Sequence, residues 1–207
     1  MFAHKKGMGA LLGAMFALLA IAAPAQAFDT TNVAFVQTSA NTTSIPVGHA
    51  EFCAARPAEC SANSNPVAAM PLTEALWQQL QAVNSHYNQT VVSVTDQDLY
   101  QVNEFWTYPN GYGDCEDFAL AKRRDLINAG WPESVLLMSV VKQADGEGHA
   151  VLLVRTDRGD LVLDNQVGQI LVWKDTSYQF IKRQSQTDSR KWVGIDDTRI
   201  ITASAAR

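Results

Sequence analysis

The spacing of apolar residues changes several times along this chain of 207 residues, and each change predicts an element. After Pro71, the residues Leu72, Leu76, Leu80, Val83 and Tyr87 recur at intervals of four, four, three and four. That rhythm lays one apolar face along a helix. His86 falls in its last turn, where a cation meets the helix dipole favourably. Residues 91–94 are short and β-prone, and residues 97–105 predict a second helix. Residues 106–113 form an aromatic loop with a turn signal at Asn110-Gly111. A third helix is predicted over residues 114–129 and is stopped by Gly130 and Pro132. Its Phe118, Ala121, Leu126 and Ala129 are expected to face a core, with Lys122, Arg123, Arg124 and Asp125 toward solvent.

Beyond residue 134 the pattern becomes β-like. Residues 135–141 are almost continuously apolar and rich in β-branched side chains. Gly146-Glu147-Gly148 breaks the chain before a strand over residues 149–155. Asp157-Arg158-Gly159-Asp160 turns it again before residues 161–164. Further strands are expected at residues 170–173, 178–181 and 192–195. Helices followed by an antiparallel sheet give an α+β fold, with the central helix packed on the sheet.

The N-terminus carries a different signal. Lys5-Lys6, an apolar run over residues 11–23 and the small-x-small site Ala25-Gln26-Ala27 read as a secretory signal peptide over residues 1–27. The expected organisation continues with an N-terminal arm over residues 28–70 and one catalytic domain over residues 71–207. No later stretch approaches the roughly 20 apolar residues that span a bilayer, so no membrane span is expected after cleavage. Loss of Lys5 and Lys6 with no acid moves the formal charge from −5 to −7. That balance argues against nucleic acid or an anionic membrane as partner, and it is compatible with a cation site. Export to a periplasmic or secreted location also permits disulfides, so Cys53 and Cys60 are expected to bridge locally. His49, just before them, reads as a surface or packing residue.

Cys115 is the thiol left over, at the start of the third helix in Gly113-Asp114-Cys115-Glu116-Asp117. With Asp114 as N-cap, Cys115 takes the first helical position, where free N–H groups and the dipole favour a thiolate. Asp114, Glu116 and Asp117 oppose that, because like charges disfavour ionisation. A free helix end supplies only about half a positive charge against them. Two readings follow: a capped core cysteine, or a nucleophile whose acids are neutralised by a hard cation such as calcium, held by Asp114 and Glu116. His149 opens an apolar strand after a glycine-rich turn and is placed to exchange a proton with the thiol. Asp164 ends the next strand as the candidate that orients His149. A tight turn at Arg158-Gly159 would pair Leu153 with Asp164 and leave His149 four residues, roughly 13 Å, further along. A bulge, a wider loop or strong twist must close that gap, or Asn165 takes the role instead.

The run from Gly113 to Lys122 resembles the bacterial transglutaminase-like cysteine proteinase family of the LapG type. Trp106-x-x-Pro109, Ala129-Gly130-Trp131-Pro132, His149-Ala150-Val151-Leu152 and Leu163-Asp164-Asn165 support the likeness, which covers residues 71–173. The resemblance implies a papain-like or transglutaminase-like α+β core with a Cys115-His149-Asp164 triad. It also implies a periplasmic, calcium-dependent protease with Asp114 and Glu116 as calcium ligands. The expected substrate is a large surface adhesin cut between small residues. The expected regulator is an inner-membrane receptor that responds to cyclic di-GMP. Acyl transfer to an amine, as transglutaminases perform, and a non-catalytic metal-dependent binding module on the same fold are the two alternatives. Tyr108 and Tyr112 are candidates for a second oxyanion donor, and with Trp106 for the walls of a substrate groove.

Overall fold

A computed structural model describes Met1 and residues 35–199. The expected signal segment, Met1 apart, lies outside the described residues. The centre is a seven-stranded sheet in the order β1-β9-β8-β4-β5-β6-β7. Its strands are β1 (Thr38–Thr43), β4 (Leu136–Lys142), β5 (Gly148–Thr156), β6 (Gly159–Leu163), β7 (Leu171–Val172), β8 (Gln179–Gln184) and β9 (Trp192–Ile195). Every pairing within it is antiparallel. A separate parallel pair joins β2 (Val92–Ser93) to β3 (Tyr112–Gly113). The helices are α1 (Val47–Ala55), α2 (Glu74–Thr90), α3 (Asp96–Tyr100) and α4 (Cys115–Asn128).

The continuous apolar run in β5 is explained by burial on both faces. Leu152 and Val154 join one core with Leu80, Leu120, Leu126 and Leu163 from α2, α4 and β6. Val151 and Leu153 join a second core with Val162, Tyr178 and Phe180 on the opposite face. A strand covered on both sides loses the alternation of apolar and polar residues, as its sequence does.

α2 begins at Glu74, because Thr73 Oγ1 accepts from Leu76 N and closes the first turn. α3 is shorter than the helix expected over residues 97–105. Gln101 sits in the left-handed region at φ 60, and Phe105 N donates to the Asp96 carboxylate, which wraps the chain around that acid. α4 also departs from expectation. Lys122 and Arg123, read as solvent-facing, are 0% and 7% exposed, whereas Ala129 is exposed. The cause is packing on more than one side. Lys122 Nζ donates to Asn88 Oδ1 of α2 at 2.7 Å, and Arg123 Nε donates to the Leu136 carbonyl at 3.0 Å. Tyr87 of α2 donates to Asp125 Oδ2 at 2.7 Å and ties the two helices again.

Residues 38–60, which the sequence places in an arm, are built into this body. β1 pairs with β9 at the sheet edge, and Phe52 and Cys60 lie in the larger core. Cys53 and Cys60 are joined by a disulfide of 2.11 Å. His49 is a packing residue, 1% exposed, with the Trp106 and Trp192 rings each 5.4 Å away. Burial, then the Arg123 charge, lowers its pKa to about 4, so it stays neutral. Among the described residues no helix is long and apolar enough to cross a membrane.

Candidate active site

The thiol is set in place by the loop before it. β2 and β3 pin residues 92–94 against residues 111–113, which fixes the entry to α4. Gly113 is required there, since a Cβ would lie 2.7 Å from Asp117 Oδ2. Asp114 opens the helix through its backbone, its carbonyl accepting from Phe118 N at 3.2 Å. Its side chain makes no cap, contrary to expectation, and Oδ2 instead accepts from Asp96 N at 3.2 Å. Cys115 follows at the first helical position. Its Sγ donates to Glu116 Oε2 at 3.1 Å and accepts from Ala150 N, on β5, at 3.4 Å. Burial first, and then the Glu116 carboxylate, raises the thiol pKa well above its ordinary value.

A carboxylate cluster surrounds this thiol. Oxygens of Asp96, Asp114 and Glu116 all lie within 4.8 Å of one another. Asp96 Oδ1, Asp114 Oδ1 and Asp117 Oδ2 are buried and have no hydrogen-bond partner. Burial first, then the Asp114 and Glu104 charges, raises Asp96 to about 6, against the Phe105 N–H that lowers it. Asp117 is raised to about 8, chiefly by burial and then by Asp114 and Asp96, although Thr107 N donates to it. Glu116 is raised by burial and by Asp114. Clustered, desolvated oxygens without donors are the ligand set of a hard cation, and a calcium ion would fit them. Asp96 was not visible as a member from sequence. It reaches Asp114, 18 positions away, only because β2 and β3 pair.

The imidazole side is satisfied throughout. His149 Nε2 lies 2.9 Å from Asp164 Oδ1, with both side chains buried. Asp164 also accepts from Gln166 N at 3.0 Å and from Tyr178 Oη at 2.5 Å. Burial opposes its ionisation, yet the bonds from His149, Tyr178 and Gln166 outweigh that and hold its pKa below the ordinary value. An ionised Asp164 only accepts, so His149 Nε2 donates to it and Nδ1 is the nitrogen left for other partners. Gln166 Nε2 lies 3.4 Å from that Nδ1. Tyr178 and Gln166 were not singled out from sequence, where one read as strand and the other as loop.

The expected gap between His149 and Asp164 is absent because the hairpin turns earlier. Thr156 pairs with Gly159 and Leu152 with Leu163, so the turn is Asp157-Arg158, with Gly159 at φ 110 closing it. Continuing that register sets Asp164 beside Val151 rather than Leu153. His149 is then a diagonal neighbour, and no bulge or substitution by Asn165 is needed.

Cys115, Glu116, His149 and Ala150 line one cavity of about 470 Å³, with Trp106 on its wall. The two tyrosines of the preceding loop do not line it. Tyr108 Oη donates to Glu59 and its ring lies under Arg124, while Tyr112 is exposed. The cavity brings a thiol, an imidazole and the start of a helix together, which suits nucleophilic attack on a carbonyl.

A sequence model of the family described as bacterial transglutaminase-like cysteine proteinase BTLCP matches residues 39–200. The chain belongs to this family. As a BTLCP member it is a transglutaminase-like cysteine peptidase with an α+β fold. Three structures of Legionella pneumophila LapG are similar to parts of it. The calcium-bound form has 24% identity and a TM-score of 0.49, over 62% of this chain and 73% of that one. A second has 28% identity and a TM-score of 0.46, over 52% and 63% respectively. The EGTA-treated form has 25% identity and a TM-score of 0.49, over 59% and 72%. No curated protein sequence matches the chain.

Proposed function

We propose that this BTLCP member is a periplasmic endopeptidase that uses Cys115, His149 and Asp164 as its catalytic triad. The meeting of Cys115 with His149 in one cavity, with His149 bonded behind it to Asp164, carries this reading. His149 Nδ1 takes the thiol proton as Sγ attacks the peptide carbonyl. The backbone N–H of Cys115, at the open start of α4, faces the charge that develops on the carbonyl oxygen. His149 then gives its proton to the leaving amine, and water attacks the acyl-enzyme with His149 as base again. Asp164 holds the imidazole tautomer throughout and stabilises the imidazolium.

Asp96, Asp114 and Glu116 would hold a calcium ion. The chemistry that ion supplies is positive charge beside a thiol otherwise ringed by carboxylates. Glu116, which accepts the thiol proton's hydrogen bond at 3.1 Å, is the residue that most directly sets whether the thiol faces His149 or a carboxylate. Residues 1–27 act as the export signal, with residues 28–70 and the catalytic residues 71–207 forming the exported protein. The LapG-type motifs make a large surface adhesin the first substrate to examine and an inner-membrane receptor the first regulator.

The test is a comparison of envelope protein N-termini in cells carrying the wild type or Cys115→Ala. New N-termini confined to the wild type are expected, and identical sets would overturn the assignment. Repeating the cleavage with a primary amine separates the rival chemistry, because acyl transfer adds the amine's mass to the product and hydrolysis does not.

A further inference from the structure

The loop that carries Asp164 is held from below by α2. Asn88 Nδ2 donates to the Asp164 carbonyl at 2.8 Å, and Asn84, one turn earlier, donates to the Gly168 carbonyl at 3.0 Å. Both ends of the segment 164–168 are therefore fixed to one helix face. Between them Gln166 reaches His149 Nδ1, so movement of this segment would disturb both imidazole nitrogens at once.

Asn88 is itself held from α4. The Lys122 ammonium, 0% exposed, donates to Asn88 Oδ1 at 2.7 Å. That bond fixes the amide orientation, with Nδ2 toward Asp164. Lys122 lies seven residues after Cys115 on the same helix, about two turns down. A closed path thus runs from Cys115 down α4 to Lys122, across to Asn88, and through the Asp164 backbone to His149. Lys122 has no carboxylate within ion-pair distance among the described residues, and an ammonium buried on an amide oxygen is costly. Burial lowers its pKa to about 7, partly countered by the Asp164 charge.

We propose that Asn88 and Lys122 are positioning residues, which set the Asp164 loop against the nucleophile's helix so that His149 is aligned with Cys115. This rests on the reading of Asp164 as the residue that orients His149. The two act through the loop and touch no reacting atom.

Proton NMR of the full chain tests it through the His149 Nε2–H resonance, identified by its loss in His149→Ala. Iodoacetamide alkylation of Cys115 at one neutral pH is read in parallel. In Lys122→Met and in Asn88→Ala the resonance is expected to move upfield and broaden, and alkylation to slow about tenfold. Lys122→Met is expected to melt no lower than the wild type, which separates positioning from mere structure. It also decides the matter alone if Asn88→Ala does not fold. A wild-type resonance and alkylation rate in Lys122→Met would overturn the proposal, as would slower alkylation with the resonance unmoved. Asp164→Ala distinguishes the two levels. If it changes neither readout, the triad reading fails; if it changes both while Lys122→Met changes neither, only the positioning role fails.

Discussion

Asp164 and Asp96 are carboxylates of one site, 2% and 1% exposed, with opposite surroundings. Asp164 receives His149, Tyr178 and Gln166 and is held ionised, below the usual carboxylate range. Asp96 has one oxygen on Phe105 N and the other without a donor, beside Asp114 and Glu116, and is pushed up to about 6. The imidazole half of the site is complete in protein atoms. Around the thiol, burial raises the pKa of Asp96, Glu116 and Asp117, and a cation held there would offset the crowding of their carboxylates. The calcium role proposed above places its charge on that half of the site.

The contrast is broken most severely by removing the satisfied acid. Asp164→Ala is expected to lower cleavage of a peptide spanning a mapped site by roughly 10²- to 10⁴-fold, the range of general acid–base catalysis. Asp164→Asn keeps an acceptor for His149 Nε2 and is expected to lose less. Equal losses in the two would show that charge, not orientation, is the contribution of Asp164.

A second effect lies beneath that acid, at Lys122, which faces Asn88, the Phe118 ring and the Asp164 charge. Its folded pKa is lowered from 10.5 to about 7. The unfolded chain therefore binds more protons between those values, and stability rises with pH across that window. The burial cost is present in full below pH 7 and fades toward pH 10.5, with an upper size of roughly 5 kcal/mol. Chemical denaturation at several pH values should show the rise in the wild type and its absence in Lys122→Met.

Calcium sharpens the other side of the comparison. At about 100 times its dissociation constant, a bound ion stabilises by roughly 2.7 kcal/mol, or about 5–10 °C in melting temperature for a domain of this size. Asp114→Ala combined with Glu116→Ala should abolish that rise, and Asp96→Ala should weaken it. A wild type whose melting ignores calcium would remove the cation from the account. The smallest effect is expected from Tyr178→Phe, which takes one donor from Asp164 and costs about 1–3 kcal/mol in stability by the same denaturation measurement.

The sequence conveyed much of this, for identifiable reasons. Local signals were reliable: Gly130 and Pro132 end α4 near Asn128, and the strands expected at residues 178–181 and 192–195 fall close to β8 and β9. Cys115, His149 and Asp164 stood out because each sits where an element starts or ends. What was hidden depends on contacts between distant segments. Asp96 joins the thiol through the β2–β3 pair, and the Asp157-Arg158 turn decides the register that brings Asp164 to His149. Lys122 and Arg123 were misplaced for a related reason. Polar residues on one helical face suggest solvent, whereas α4 is covered by α2 on one side and by the start of β4 on another.

The central claim is that His149 activates Cys115. Its most direct test is the rate of Cys115 alkylation by iodoacetamide at neutral pH with calcium present, in the wild type and in His149→Ala. The rate in the variant is expected to be lower by about 100-fold, with the thiol left protonated among its carboxylates. Equal rates in the two proteins would contradict it.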